Sequence, residues 1–297
     1  MARAPGFSGS ISAWVRAHPI GAFCIWFFPV AWTIAMLPVL SPRPFGMDIP
    51  LEVFLSGATL IGGLLPVVVI TWMIDGAAGL DALRKRLVPP RASIGWYLLA
   101  LAVPLLALLL ALIAFGPPNV TASEMLSAIL TGLFAQTIIG FLVVNLWEEA
   151  AWMRFVQARL QAQRGVLFAA VITAVLFALQ HLPLFVQNGL MNVAGLVFLA
   201  AFIVLAIPFR ALTGWLYNRT GSVFLVGLLH AAGDATTSGS FDTGFLPRLY
   251  DNDGISFFHM LAFALIGLVV IAATRARLGR SARLRAPAEP NVAPSVA

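Results

Sequence analysis

Apolar residues run along this chain in blocks of about 20, the length an α-helix needs to cross a hydrocarbon layer roughly 30 Å thick. The blocks fall at roughly 18–40, 51–74, 95–115, 125–147, 166–186, 193–216, 221–236 and 256–273. The seventh is short, and the fourth runs on past its nominal end into WEEAAWMRFVQARLQ. No block alternates with the period of a strand. Backbone polar groups in lipid must bond within their own segment, so the blocks predict helices and not a barrel. Between the second and third blocks, DGAAGLDALRKRLVPPRAS (Asp75 to Ser93) predicts a short interfacial helix. Leu80, Leu83 and Leu87 are expected to face lipid, with the basic residues at the headgroups and Pro89-Pro90 ending the helix. The last residues, APAEPNVAPSVA, predict a disordered tail. No internal repeat is visible.

Composition turns this pattern into a class. Of 297 residues, 60% are hydrophobic and 10% charged, and the mean hydropathy is +0.94. An ordinary soluble domain carries about 25% charged residues. The expected fold is therefore all-α and polytopic, with about eight transmembrane helices. The first block is too long for the apolar stretch of a signal peptide and is read as a retained span. Cys24, the single cysteine, leaves no partner for an intramolecular disulfide and no cysteine-based zinc site.

The net charge of +6 suggests nucleic acid until the charges are placed. Arg3, Arg16, Arg84, Lys85, Arg86, Arg91, Arg154, Arg159, Arg164, Arg210, Arg219, Arg275, Arg277, Arg280, Arg283 and Arg285 all fall on one side of the predicted spans. Only Arg43 and Arg248 fall on the other, beside Asp48, Glu52, Glu124, Asp242, Asp251 and Asp253. Positive residues favour the cytoplasmic side, so both termini are expected inside. The expected partners are membrane lipids and a membrane-associated substrate, with no nucleic acid. The Arg- and Ala-rich composition points to a bacterial inner membrane.

Ionisable residues inside spans are expensive, about 2.5–3.5 kcal/mol each on insertion scales, and mark function. Glu148 and Glu149 follow the fourth block. Adjacent helical residues lie 100° apart, so the two carboxylates face different surroundings. His181 sits late in the fifth span, four residues after Phe177 and two before Pro183, whose missing N–H frees carbonyls nearby to orient the ring. His230 and Asp234 are spaced i, i+4 in the seventh span, on one helix face. The small residues Gly227, Ala231, Ala232 and Gly233 allow another helix to approach them closely. His259, at the start of the last span, carries no functional expectation. Two glutamates, two histidines and an aspartate offset their desolvation by converging. Such a cluster serves acid–base hydrolysis, proton-coupled transport or a buried metal site alike. Transport would want inverted repeats, and none is seen.

The motifs EEAAWM (Glu148 to Met153), FALQH (Phe177 to His181) and HAAGD (His230 to Asp234) resemble those of the CPBP intramembrane protease family. That family includes the type II CAAX prenyl endopeptidases and bacteriocin-immunity-type proteins. Its motifs are EExxxR, FxxxH and HxxxN or HxxxD on successive helices. The resemblance covers residues 123–240, flanked by N-terminal spans in 1–122 and a last span with a basic tail in 241–297. It implies an intramembrane endopeptidase acting on a membrane-anchored or lipidated substrate. Glu148 would be the base that activates water together with His181, and His230 and Asp234 would bind or protonate the oxyanion. Glu149 belongs to the same catalytic set. The cofactor is none or zinc, with His181 and His230 as the ligands if zinc applies. The absence of HExxH, and an aspartate as the i+4 partner of His230, favour a metal-free mechanism.

The chain departs from the first motif at one position: Met153 stands where the family has arginine. Arg154 is i+5 from Glu149 and reaches it only if the helix is irregular there. Glu149 is then expected to be held by Trp152 Nε1–H or by a residue of another helix. The departure also keeps open an inactive relative, serving as an immunity or scaffold protein. Residue counting further places His230 near mid-membrane, His181 in the outer half and Glu148 in the inner part, which opposes convergence unless a helix is longer or more tilted than the blocks suggest.

Overall fold

A computed structural model of the chain describes residues 9–41, 43, 46–237, 244–251 and 254–279. Arg3, Asp242, Asp253, Arg280, Arg283, Arg285 and the expected disordered tail lie outside the described residues. Among the described residues every regular element is a helix. A short α1 (Gly9–Ala17) leads into α2 (Pro19–Leu40). Then follow α3 (Leu51–Leu87), α4 (Ile94–Phe115), α5 (Ala122–Arg164), α6 (Val166–Gln187) and α7 (Val193–Thr220). The last helices among the described residues are α8 (Val223–Thr236), a short α9 (Phe245–Leu249) and α10 (Gly254–Ala273). The six helices α2 to α7 are long and apolar enough to cross a membrane, while α8 and the apolar part of α10 are shorter. Large apolar side chains project outward along these helices, including Leu98, Leu105, Leu109 and Ile113 of α4 and Leu130, Phe134, Ile138 and Leu142 of α5. A belt of this size suits lipid and not water.

The length of α5 explains how the site assembles. Its 43 residues, at 1.5 Å per residue, span on the order of 60 Å, well beyond the block that hydropathy alone marks. It begins with a capping box, in which Glu124 N–H donates to Thr121 Oγ1 and Thr121 N–H to Glu124 Oε2. It contains π-type stretches at Ala128–Ala135, Phe141–Asn145 and Ala150–Gln157. It ends at Gly165, whose φ of 95° turns the chain straight into α6; an L side chain would be strained there. Glu148 and Gln180 stand at similar distances from this turn on antiparallel neighbours. Counting from the end of the apolar block set Glu148 and His181 at different depths; followed to Arg164, α5 carries Glu148 alongside Gln180, the neighbour of His181.

Two further expectations are corrected. Leu83 does not face lipid: it is buried with Val15, Phe23 and Phe155. Gly76 interrupts the helical backbone of α3 (φ 62°, ψ −152°); just before it the Ile74 carbonyl accepts from Arg16 Nη1 of α1 at 2.9 Å, and beyond it Leu83 joins the core cluster that includes Val15 of α1. The inner face of that arm is thus taken by protein. Arg210, counted with the exposed cations of one side, is completely buried in α7. It belongs to the interior described below.

α8 passes close to α5. A Cβ on Gly227 would lie 3.1 Å from the Leu146 Cα, so the expected close approach of a second helix at the small residues is present. The connection from α7 to α8 is only Gly221-Ser222, with the Ser222 hydroxyl accepting from Leu225 N–H at 3.2 Å. This fixes His230 and Asp234 against α5.

Candidate active site

The two glutamates point different ways, as their 100° offset requires. Glu148 borders a cavity of about 370 Å³ that is also bordered by Gln180, His181, His230 and Asp234. Helices from the whole chain contribute to its wall, including α2 and α3 near the N-terminus and α10 near the other end. Glu149 does not border the cavity and has no exposed surface.

Glu148 is held by a relay. Trp152 Nε1–H donates to Gln180 Oε1 at 2.6 Å, which orients the amide so that Gln180 Nε2 donates to Glu148 Oε1 at 3.1 Å. The indole is fixed by packing on Phe23 and Phe27, with ring centroids 5.5 and 4.9 Å away. Trp152 was a candidate partner of Glu149, and the structure gives its N–H to Gln180.

Glu149 is held from another helix. Arg210 of α7 reaches across with Nη1 to Oε1 at 2.8 Å and Nη2 to Oε2 at 3.1 Å. Its Nε donates to Gln157 Oε1 at 3.1 Å, and Gln157 Nε2 donates back to the Arg210 carbonyl at 2.9 Å. Every guanidinium nitrogen is engaged, which is what a buried ion pair requires. Position 153 is left free for packing, and Met153 is buried against Leu212, Leu216 and Leu229. The helix is irregular here, yet Arg154 does not pair with Glu149.

His230 stands between carboxylates. Its Nδ1 lies 2.9 Å from Glu149 Oε1, off the N–H axis, and its Nε2 lies 3.7 Å from Asp234 Oδ1. Asp234 is steadied by Asn145 of α5, whose Nδ2 donates to Oδ2 at 2.7 Å. His181 closes the first part of α6. Its backbone N–H bonds the Ala178 carbonyl in a tighter turn, which leaves the Phe177 carbonyl free, and the ring Nδ1 sits 2.9 Å from it. A carbonyl only accepts, so Nδ1 carries the proton and Nε2 presents a lone pair. His259, given no role from sequence, also borders the cavity.

Sequence reasoning missed Arg210, Gln180, Asn145 and Gln157. For Arg210 a signal existed: IPFRALTG places an arginine between apolar residues in a continuing helix. The amides carry no such signal, because Gln and Asn are common at helix ends and surfaces.

Zinc fits this arrangement poorly. Among the described residues no three His, Cys, Asp or Glu side chains are grouped at metal-binding spacing, and both nitrogens of His230 face carboxylates. No step is derived through a metal.

Residues 130–236 match the family model of Rce1-like proteins, described as type II CAAX prenyl endopeptidase Rce1-like. The comparison with curated proteins returns no match. The matched region contains all three motifs and supports the resemblance to the CPBP family. With the apolar helices, it indicates an integral membrane protein and points to a peptide hydrolase.

Proposed function

We propose that the chain is an intramembrane endopeptidase that hydrolyses a peptide bond of a membrane-anchored, lipidated substrate with a water activated by Glu148. The observation that carries this reading is the pairing of two acceptors on one cavity. Glu148 and His181 both line it, and with His181 Nδ1 on the Phe177 carbonyl its Nε2 is left as the acceptor. A water between them would donate one O–H to each. Glu148 takes a proton as the water oxygen attacks the scissile carbonyl carbon, and the same proton passes to the leaving amine as the C–N bond breaks. His230, flanked by Glu149 and Asp234, would meet the developing oxyanion. Glu149 and Arg210 act through His230 as positioning groups, and Asn145 acts through Asp234.

The same geometry weighs against the inactive alternative. That reading drew on Met153, and the arginine role at Glu149 is taken by Arg210. The matched family's description supports a CAAX-type substrate, the Arg- and Ala-rich composition supports a bacterial inner membrane, and the charge placement supports both termini inside. The Zn-free mechanism rests on the donor geometry of His230.

The test is cleavage of fluorescence-quenched peptides bearing a lipidated C-terminal cysteine by protein reconstituted in vesicles. Glu148→Gln is expected to abolish cleavage while retaining the thermal unfolding transition of the wild type. Undiminished cleavage by that variant would overturn the assignment.

A further inference from the structure

Away from the cavity, two guanidinium groups near the end of α5 have no acid of their own. Arg154 and Arg159 are half-buried, and neither forms an ion pair among the described residues. Arg159 is fixed in place: its guanidinium carbon lies 3.9 Å from the centre of the Phe155 ring, and Nη1 donates to the Phe155 carbonyl at 3.0 Å. Arg154 has no hydrogen-bond partner among the described residues; its Nε is buried, while Nη1 and Nη2 keep accessible surface. The stem is sunk and the head opens outward. In a regular α-helix residues five apart stand about 140° round from each other. The π-type stretch Ala150–Gln157 turns such residues towards one face, and Arg154 lies within electrostatic reach of Arg159. Tyr217, one turn before the end of α7, lies within reach of Arg159 as well, and its hydroxyl has no hydrogen-bond partner among the described residues. Tyr217 and Leu87, the last residue of α3, pack against the cluster that holds Ala150, one turn before Arg154. Beside Leu87, Arg86 Nη1 donates to the Gly221 carbonyl at 2.8 Å. Three helices thus meet around these groups.

Two like charges held together and partly out of water need an anion. Asp75 feels Arg159 without forming an ion pair, and it follows Ile74, whose carbonyl holds Arg16, so a third guanidinium stands against its charge. The donors left over are two guanidinium forks and a phenol O–H, a set that matches the oxygens of a phosphate. We propose that Arg154, Arg159 and the Tyr217 hydroxyl bind the phosphate of an anionic phospholipid headgroup. Both arginines lie within about three turns of the end of α5, on the basic side of the protein, where basic pockets between helices meet headgroups. Val88, the residue after Leu87, and Ile94, at the start of α4, are exposed apolar side chains at the same end. They suit the acyl chains that a lipid brings and a free phosphate lacks. The site is separate from the cavity and independent of the endopeptidase reading.

The experiment adds one phosphate source at a time to delipidated protein in neutral detergent: phosphatidylglycerol, phosphatidylcholine or inorganic phosphate. Phosphatidylglycerol is expected to raise the thermal unfolding midpoint and to persist as an adduct in native mass spectra. Arg154→Gln and Arg159→Gln are each expected to weaken its binding by about 10- to 100-fold, the worth of a hydrogen bond to a charged group. Tyr217→Phe, which removes one hydroxyl, weakens it by less. Arg84→Gln combined with Lys85→Gln lowers the charge of the exposed arm and is expected to leave binding nearly unchanged. A loss in that control as large as in the site variants would mean diffuse surface charge and overturn the proposal. Equal retention of phosphatidylcholine would overturn the preference for an anionic headgroup. Equal stabilisation by inorganic phosphate would assign the site to a soluble anion and overturn the lipid. Should a glutamine variant fail to fold, Arg159→Lys, which keeps the charge and loses the fork, and Tyr217→Phe carry the test. Full retention of phosphatidylglycerol by both overturns the site.

Discussion

Arg210 closes both arms of its guanidinium on the Glu149 carboxylate, at 2.8 and 3.1 Å, from a helix 61 residues further along the chain. Both side chains are fully buried. The motif it resembles supplies its arginine four residues after the second glutamate, on the same helix, and here the cation comes across the helix interface. Removing one partner of a buried pair costs about 3–5 kcal/mol, because the other charge is left unmet. Arg210→Met is expected to lower stability by that amount in detergent unfolding. Arg210→Lys keeps the charge and loses the fork, and is expected to fall between. An unfolding midpoint unchanged in Arg210→Met would show that the pair contributes nothing.

Gln180 links Trp152 to Glu148. Gln180→Leu keeps the bulk and leaves the Glu148 carboxylate unguided. Misplacement on the order of 1 Å costs up to about 100-fold in rate. The loss should fall on kcat, with KM and the unfolding midpoint nearly unchanged. Trp152→Phe removes the N–H while keeping much of the packing on Phe23 and Phe27, so it should lower kcat in the same direction and by less. A pure KM effect in either variant would place these residues in substrate binding.

Asn145 donates to Asp234 from a fully buried position. Hydrogen bonds to charged groups contribute about 1.5–3 kcal/mol. Asn145→Leu is expected to destabilise within that range and to reduce cleavage. Equal stability with intact cleavage would show that α8 alone holds Asp234.

With His230 facing carboxylates at both nitrogens, treatment with a strong zinc chelator followed by gel filtration should leave cleavage unchanged. Loss of cleavage that zinc restores would overturn the metal-free mechanism.

The orientation can be read with thiol labelling in a Cys24→Ser background. Asp48→Cys should react with an impermeant maleimide on intact cells, and Arg91→Cys only after the membrane is opened. The reverse pattern would invert the topology.

Much of this was legible before any coordinates. Helices at the eight apolar blocks follow from period and length, because a backbone in lipid has almost no alternative. The grouping of Glu148, His181, His230 and Asp234 on one cavity was expected from the cost of leaving such residues apart in apolar surroundings. Hydropathy marked only part of α5, whose continuation into WEEAAWMRFVQARLQ was expected, because an apolar window ends there without ending a helix. It also misplaced Arg210, because an arginine near the end of an apolar block looks the same whether it reaches the headgroups or turns inward to a carboxylate.

The sequence alone determined the helical membrane class and the acids and imidazoles that must find one another, since these depend on local composition and on the free energy of burying charge. Tertiary structure alone decided which partner each group received: Arg210 for Glu149, Gln180 for Glu148 and Asn145 for Asp234. Those choices turn on helix length, crossing and rotation. They are properties of how helices pack against one another, and no single stretch of the chain encodes them.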